Sequence, residues 1–147
     1  MLTWSEVSAR LAGEKICWLH TTGPDGTPNA TPVWGALLAG TFHVYTRGDT
    51  AKARNLRLNP SVAIHLESGV NVLIVHGTLA RLGHPRDRPD VLDAFATKYH
   101  EPEEVPFLPS SDPAFDVLYA LEPERAITWS LPDTAASTRR WVRPDSR

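Results

Sequence analysis

The stretch from Tyr45 to Asn55 holds the residues best suited to grip an anion. A β-branched and aromatic run ends at Thr46, the glycine-bearing loop Arg47-Gly48-Asp49 follows, and residues 50–58 have helical composition. The start of a helix leaves backbone N–H groups without acceptors and carries a partial positive charge, which together suit a phosphate. Thr50, Ala51 and Lys52 open this helix: Thr50 can cap it or donate its hydroxyl, and Lys52 adds a full charge. Lys52 and Asn55 are three apart and share a helix face, so both are expected to meet one ligand. A plainer reading stays open, in which Thr50 only caps and Lys52, Arg54 and Arg57 are solvated. No glycine-rich phosphate loop is present, so an ATPase has no support.

A second candidate is Thr31-Pro32-Val33-Trp34-Gly35, inside a run with strand composition. Proline cannot donate to a sheet ladder and marks an edge or a bulge. There, exposed backbone groups can hydrogen-bond the rim of a heterocycle while Trp34 supplies an apolar wall. A barrel rim with a core tryptophan fits the same residues.

His20, His43, His65 and His76 all fall on expected strands, where imidazoles could ligate a metal or haem. No His-x-His or His-Glu-x-x-His pattern occurs, so no metal is expected. Cys17, the one cysteine, lies in an apolar strand start and is expected to be inert; it excludes an intrachain disulfide and a cysteine-based cluster. No Ser-His-Asp or Cys-His set can be argued, and Glu101, Glu103 and Glu104 cluster in a proline-rich loop. A chain without an evident acid or base suits chemistry carried by a cofactor.

Residues 3–13 predict a first helix, capped by Thr3 or Ser5 and carrying Val7 and Leu11 on one face. Residues 16–22 predict a strand that meets the turn Gly23-Pro24-Asp25-Gly26. Residues 29–38 and 41–46 read as two strands of a hairpin about Ala39-Gly40. Strands are expected at 61–67 and 72–82, a helix at 88–100, a loop at 101–113, and closing strands at 115–121 and 126–131. A polar, basic tail follows, extended over 132–147. Six to seven strands with few helices predict a mainly β fold, an antiparallel barrel with helices at its edge.

The 147 residues suit one domain, and no repeat or linker is evident. The net charge of -2 argues against nucleic acid as partner. No signal peptide or membrane span is read, so a cytoplasmic protein is expected.

The order of motifs resembles the pyridoxamine 5′-phosphate oxidase-like flavin-binding split-barrel superfamily, and within it the F420/FMN-dependent oxidoreductases. The matching stretches are Pro24-Asp25-Gly26-Thr27-Pro28, Thr31-Pro32-Val33-Trp34-Gly35, Thr50-Ala51-Lys52-Ala53-Arg54-Asn55-Leu56 with Asn59-Pro60, and Val75-His76-Gly77-Thr78-Leu79. This resemblance implies a split β-barrel homodimer with two cofactor sites at the subunit interface. It implies F420 as cofactor, with FMN the alternative, and a hydride transferred between reduced deazaflavin and a small organic acceptor. Lys52 with Thr50 would hold the phosphate, Thr31, Pro32, Val33 and Trp34 would border the ring, and Tyr45 and Thr46 would lie beneath the ribityl chain. Val70 and Asn71 would add contacts from the partner subunit; Trp129 and Thr138-Arg139-Arg140-Trp141 would approach the ring. The chain departs from the family at Ala51, where a basic residue is common, so a phosphate ligand is either missing or supplied by Arg47 or Arg54. The arginine- and histidine-bearing substrate motif of the oxidases proper is absent, which disfavours vitamin B6 oxidation. A flavin or F420 carrier without turnover and a haem-binding relative are the other readings.

Overall fold

The computed structural model describes residues 1–145. Helix α1 (Trp4–Gly13) starts at a capping box: the Thr3 hydroxyl accepts the Glu6 amide at 3.1 Å and the Glu6 carboxylate accepts the Thr3 amide at 2.8 Å. Val7 and Leu11 are buried on its inner face. Strand β1 (Cys17–Thr22) alternates, with Cys17, Leu19 and Thr21 inward and Trp18, His20 and Thr22 outward. The turn at Gly26, which has φ of 85°, leads to β2 (Pro28–Val33), antiparallel to β1.

The run expected as one strand at 29–38 breaks at Trp34 into β2 and β3 (Gly35–Leu38). The two halves pair with different partners. β3 turns through Ala39-Gly40, both at positive φ, into β4 (Thr41–Thr46). Next come α2 (Ala51–Leu58), β5 (Ser61–His65), β6 (Asn71–Gly83), α3 (Pro89–Lys98) and β7 (Val117–Ser130). The expected closing strands at 115–121 and 126–131 are therefore one, and a bulge where Gly77 faces Pro123 absorbs the irregularity. A Cβ at Gly77 would overlap the Glu122 carbonyl.

All these strands join one antiparallel sheet in the order β2-β1-β5-β6-β7-β4-β3. Its two edges, β2 and β3, are consecutive in the chain through Trp34, so the sheet has to curl until its edges meet. That curl makes a split β-barrel, and Trp34 stands at the seam. Inside lie Val7, Leu11, Leu19, Phe42, Val44, Ile64, Leu73 and Val75, while a second cluster under α3 contains Tyr45, Val91, Phe95, Tyr99 and Leu118. Each such side chain contributes about 1.5–3 kcal/mol on burial.

The tail is more ordered than an extended basic segment. It forms a short helix α4 (Thr134–Ser137) and strand β8 (Arg139–Val142), which pairs with β7. Trp141 packs on Trp4 with ring centroids 5.2 Å apart, and Arg139 meets Glu6 at 3.3 Å. Residues 146–147 of that tail lie outside the described residues. No helix among the described residues is long and apolar enough to cross a membrane.

Candidate functional site

At the seam the sheet leaves a cavity of about 390 Å³, within the range of roughly 300–1,000 Å³ usual for small-molecule sites. Pro32, Val33 and Trp34 form one side, Tyr45 and Thr46 at the end of β4 another, and Lys52 of α2 projects from the helix start. Phe107 and Phe115 complete an aromatic wall. No carboxylate or imidazole is among these lining residues. The surroundings suit a flat apolar ring beside an anionic group.

The head of α2 supplies the electrostatics. Thr50 is the cap; its hydroxyl accepts the Ala53 amide at a long 3.4 Å and donates to the Arg47 carbonyl at 2.8 Å. The amides of Ala51 and Lys52 have no acceptor within the helix, and the first turn contains no acidic residue. Lys52 is half-buried, and burial pushes its ammonium below the ordinary lysine range. Among the described residues Lys52 has no hydrogen-bond or ion-pair partner. The other nearby cations are occupied: the Arg47 guanidinium pairs with the Asp49 carboxylate at 3.0 Å, and Arg54 donates to the Asp49 carbonyl at 2.9 Å. Of the three cations, Lys52 alone is left for a ligand.

Trp34 is held from behind. Its ring stacks on Tyr99 at 4.3 Å and 3°, and Phe107 meets its edge at 6.5 Å and 81°. The buried Tyr99 hydroxyl accepts the Gly35 amide at 3.0 Å and lies 2.6 Å from the Lys15 carbonyl, to which it donates. Lys98 donates to the Gly35 carbonyl at 2.6 Å, although burial lowers its ammonium to about 8. Gly35 is required there because a Cβ would overlap the Phe42 ring. The break between β2 and β3 is thus fixed from α3, and with it the wall of the cavity.

Of the residues expected at a site, the structure brings Pro32, Val33, Trp34, Tyr45, Thr46 and Lys52 together around one cavity. Thr31 stands next to them in β2, and its buried Oγ1 has no hydrogen-bond partner. Thr50 and Ala51 form the adjoining helix start. Asn55 does not share the cavity with Lys52: it is 8% exposed and its amide donates to the Thr21 hydroxyl at 3.1 Å, because α2 packs on β1 through that face. Val70 just before β6 and Asn71 at its start are exposed, and Trp129 borders a separate cavity with His65 and Ile74. Within one chain none of these three reaches the Lys52 cavity, and Trp141 is engaged with Trp4 instead. Sequence reasoning missed Phe107, Phe115 and Tyr99. Phe107 stands as an aromatic residue within a Pro- and acid-rich loop, and that was the clue available in the sequence.

The strand histidines do not assemble into a cluster. His20 and His65 touch, Nε2 to Nε2 at 2.8 Å, while His43 is buried in another region and lowered by that burial. No group of three or more His, Cys, Asp or Glu among the described residues could hold a metal ion.

A seamed barrel with an aromatic cavity at a helix start has the architecture of a small-molecule-binding split barrel. The family model described as pyridoxamine 5′-phosphate oxidase matches residues 3–130, and the chain belongs to that family, a superfamily of flavin-binding oxidoreductases. Among solved structures, a conserved hypothetical protein from Mycobacterium tuberculosis is 23% identical with a TM-score of 0.72, over 88% of this chain and 86% of that one. A protein described as an F420 reductase is 23% identical with a TM-score of 0.62, over 80% of this chain and 93% of its own. A haem-binding protein from Mycobacterium smegmatis is 18% identical with a TM-score of 0.66, over 97% of this chain and 59% of that protein. At these identities the likeness is one of fold. No curated protein matches the chain.

Proposed function

We propose that the chain binds a phosphoester-bearing flavin-type cofactor, F420 in the first place and FMN in the second, and transfers a hydride between it and a small organic acceptor. The observation that carries this reading is Lys52, a half-buried ammonium without a partner at a helix start, facing an aromatic cavity. The residues fit such a group. Lys52 and the amides of Ala51 and Lys52 would take the phosphate. Pro32, Val33 and Trp34 would border the ring with Thr31 behind them in β2, and Phe107 and Phe115 would pack against it. When bound, the cofactor supplies the hydride chemistry. The chain binds, orients and keeps the ring dry, consistent with a lining that holds neither carboxylate nor imidazole. Val70, Asn71 and Trp129, which lie away from the cavity in their own chain, would contribute across a homodimer.

The family assignment and the description of one structural neighbour as an F420 reductase support this choice. Mixing the protein with reduced F420 and a panel of quinones, enones and nitro compounds tests it. Oxidation of F420 dependent on both protein and one acceptor is expected. Tight binding without turnover of any acceptor would favour a carrier, the reading suggested by the lack of an acid or base at the cavity. Absence of binding by both F420 and FMN would remove both.

A further inference from the structure

We infer that His20 and His65 form a two-imidazole clamp for a borderline divalent cation of the Cu²⁺, Ni²⁺ or Zn²⁺ class, on the outer face of the sheet. Within one chain neither histidine lines the Lys52 cavity, and the clamp does not rest on the cofactor reading. β1 and β5 pair with Trp18 opposite His65 and His20 opposite Ala63, so the two histidines are diagonal neighbours on the outward face. Their rings converge, centroids 4.8 Å apart, with the Nε2 atoms at 2.8 Å. His65 Nδ1 lies 2.7 Å from the Leu66 carbonyl. A carbonyl only accepts, so Nδ1 carries the proton and Nε2 of the neutral ring presents a lone pair. A backbone carbonyl holding Nδ1–H so that Nε2 is left to bind is the usual support for a metal-bound imidazole.

In the absence of a cation the 2.8 Å contact needs the proton of His20 Nε2. On coordination that proton moves to His20 Nδ1 through solvent, and both Nε2 lone pairs face the ion with no net proton released. Two nitrogens on a tetrahedral Zn²⁺ with bonds of about 2.0–2.1 Å stand roughly 3.3 Å apart, and two cis nitrogens on a tetragonal Cu²⁺ or Ni²⁺ roughly 2.8 Å apart. The rings thus need to part by no more than about half an ångström, a small side-chain rotation. An axial pair on haem iron would need the nitrogens about 4 Å apart with the porphyrin between them, which a direct hydrogen bond leaves no room for. Among the described residues no third ligand joins the pair, so water or an outside group fills the remaining positions. The site is open and exchangeable rather than structural.

Titration of the full-length, metal-free chain with Cu²⁺, followed by electron paramagnetic resonance, tests the clamp. The expected result is binding in the micromolar range with nitrogen couplings from two imidazoles. His20→Gln and His65→Gln should each weaken it by at least about tenfold, since even second-layer changes at metal sites cost roughly 10–100-fold. His76→Gln, also on the outward face, should leave affinity unchanged. In the unmutated chain, paramagnetic broadening should centre on residues 20 and 65, which keeps the test intact if a variant fails to fold. Affinity unaltered in both variants, coupling to fewer than two imidazoles, or broadening centred elsewhere would overturn the assignment.

Discussion

Helices α1 and α2 both begin with a threonine cap, and the two starts are completed in opposite ways. At α1, Thr3 and Glu6 satisfy each other's amides, Glu6 places a negative charge at the positive end of the helix, and Arg139 covers the carboxylate. The Glu6 carboxyl is accordingly held below the usual range, first by the Thr3 amide. At α2 the cap bond is long, the first turn has no acid, and a cation stands where the helix field already favours anions. The first arrangement closes a helix start. The second leaves one open and adds to its positive potential, which makes sense when an anion from outside completes it. The difference teaches that a cap motif alone says little about binding; what fills the first turn decides.

Exchanging the character of the open start is the strongest way to break this contrast. Lys52→Glu should lower cofactor affinity on the order of 100-fold, since a charge-assisted contact worth roughly 1.5–3 kcal/mol becomes repulsive. The same variant should raise stability by about 0.3–1 kcal/mol, because an acid now faces the helix dipole. Ligand titration and urea denaturation read the two effects, and their opposite signs separate binding from folding.

The wall beside the open start is sharpened next. Gly35→Ala places a methyl group against Phe42 and should cost about 1–3 kcal/mol in denaturant melts. Thr3→Ala should cost about 1 kcal/mol, and Thr50→Ala less, given its longer cap bond. These two variants compare the helix starts directly by urea denaturation. A pH-dependent effect concerns Lys98, whose ammonium is lowered from 10.5 to about 8 mainly by burial. Between those values the unfolded chain binds more protons than the folded one, so this residue makes stability rise with pH from about 8 to 10.5. Lys98→Met should remove this upward contribution, so that the melting temperature of the variant, relative to the parent, falls as pH rises across that window.

Much of the fold was legible because local chemistry agreed with the final structure. Thr3, one of two caps considered, the Gly26 turn and the Ala39-Gly40 turn mark their elements. The transfer of the chain from one sheet edge to the other at Trp34 was not legible, since residues 29–38 have strand composition throughout and pairing partners leave no local trace. Of the residues lining the candidate cavity, Pro32, Val33, Trp34, Tyr45, Thr46 and Lys52 were expected there. Asn55 was misjudged because helical spacing gives a shared face, whereas packing on Thr21 decides which edge of that face is inward. Phe107 comes from a loop without periodicity and Phe115 from the segment just before β7, and only the assembled cavity brings them together. The contact of His20 with His65 depends on the register of β1 with β5, which no spacing within either strand encodes.

On the proposed function, the head of α2 is an anion site completed by the cofactor phosphate. Titration of the purified chain with F420 and with FMN, in parent and Lys52→Ala forms, measures it by quenching of tryptophan fluorescence. Micromolar or tighter binding of at least one cofactor, weakened roughly tenfold or more in the variant and further weakened by salt, is the predicted result. Equal affinity in parent and variant, or no binding of either cofactor, would contradict the account.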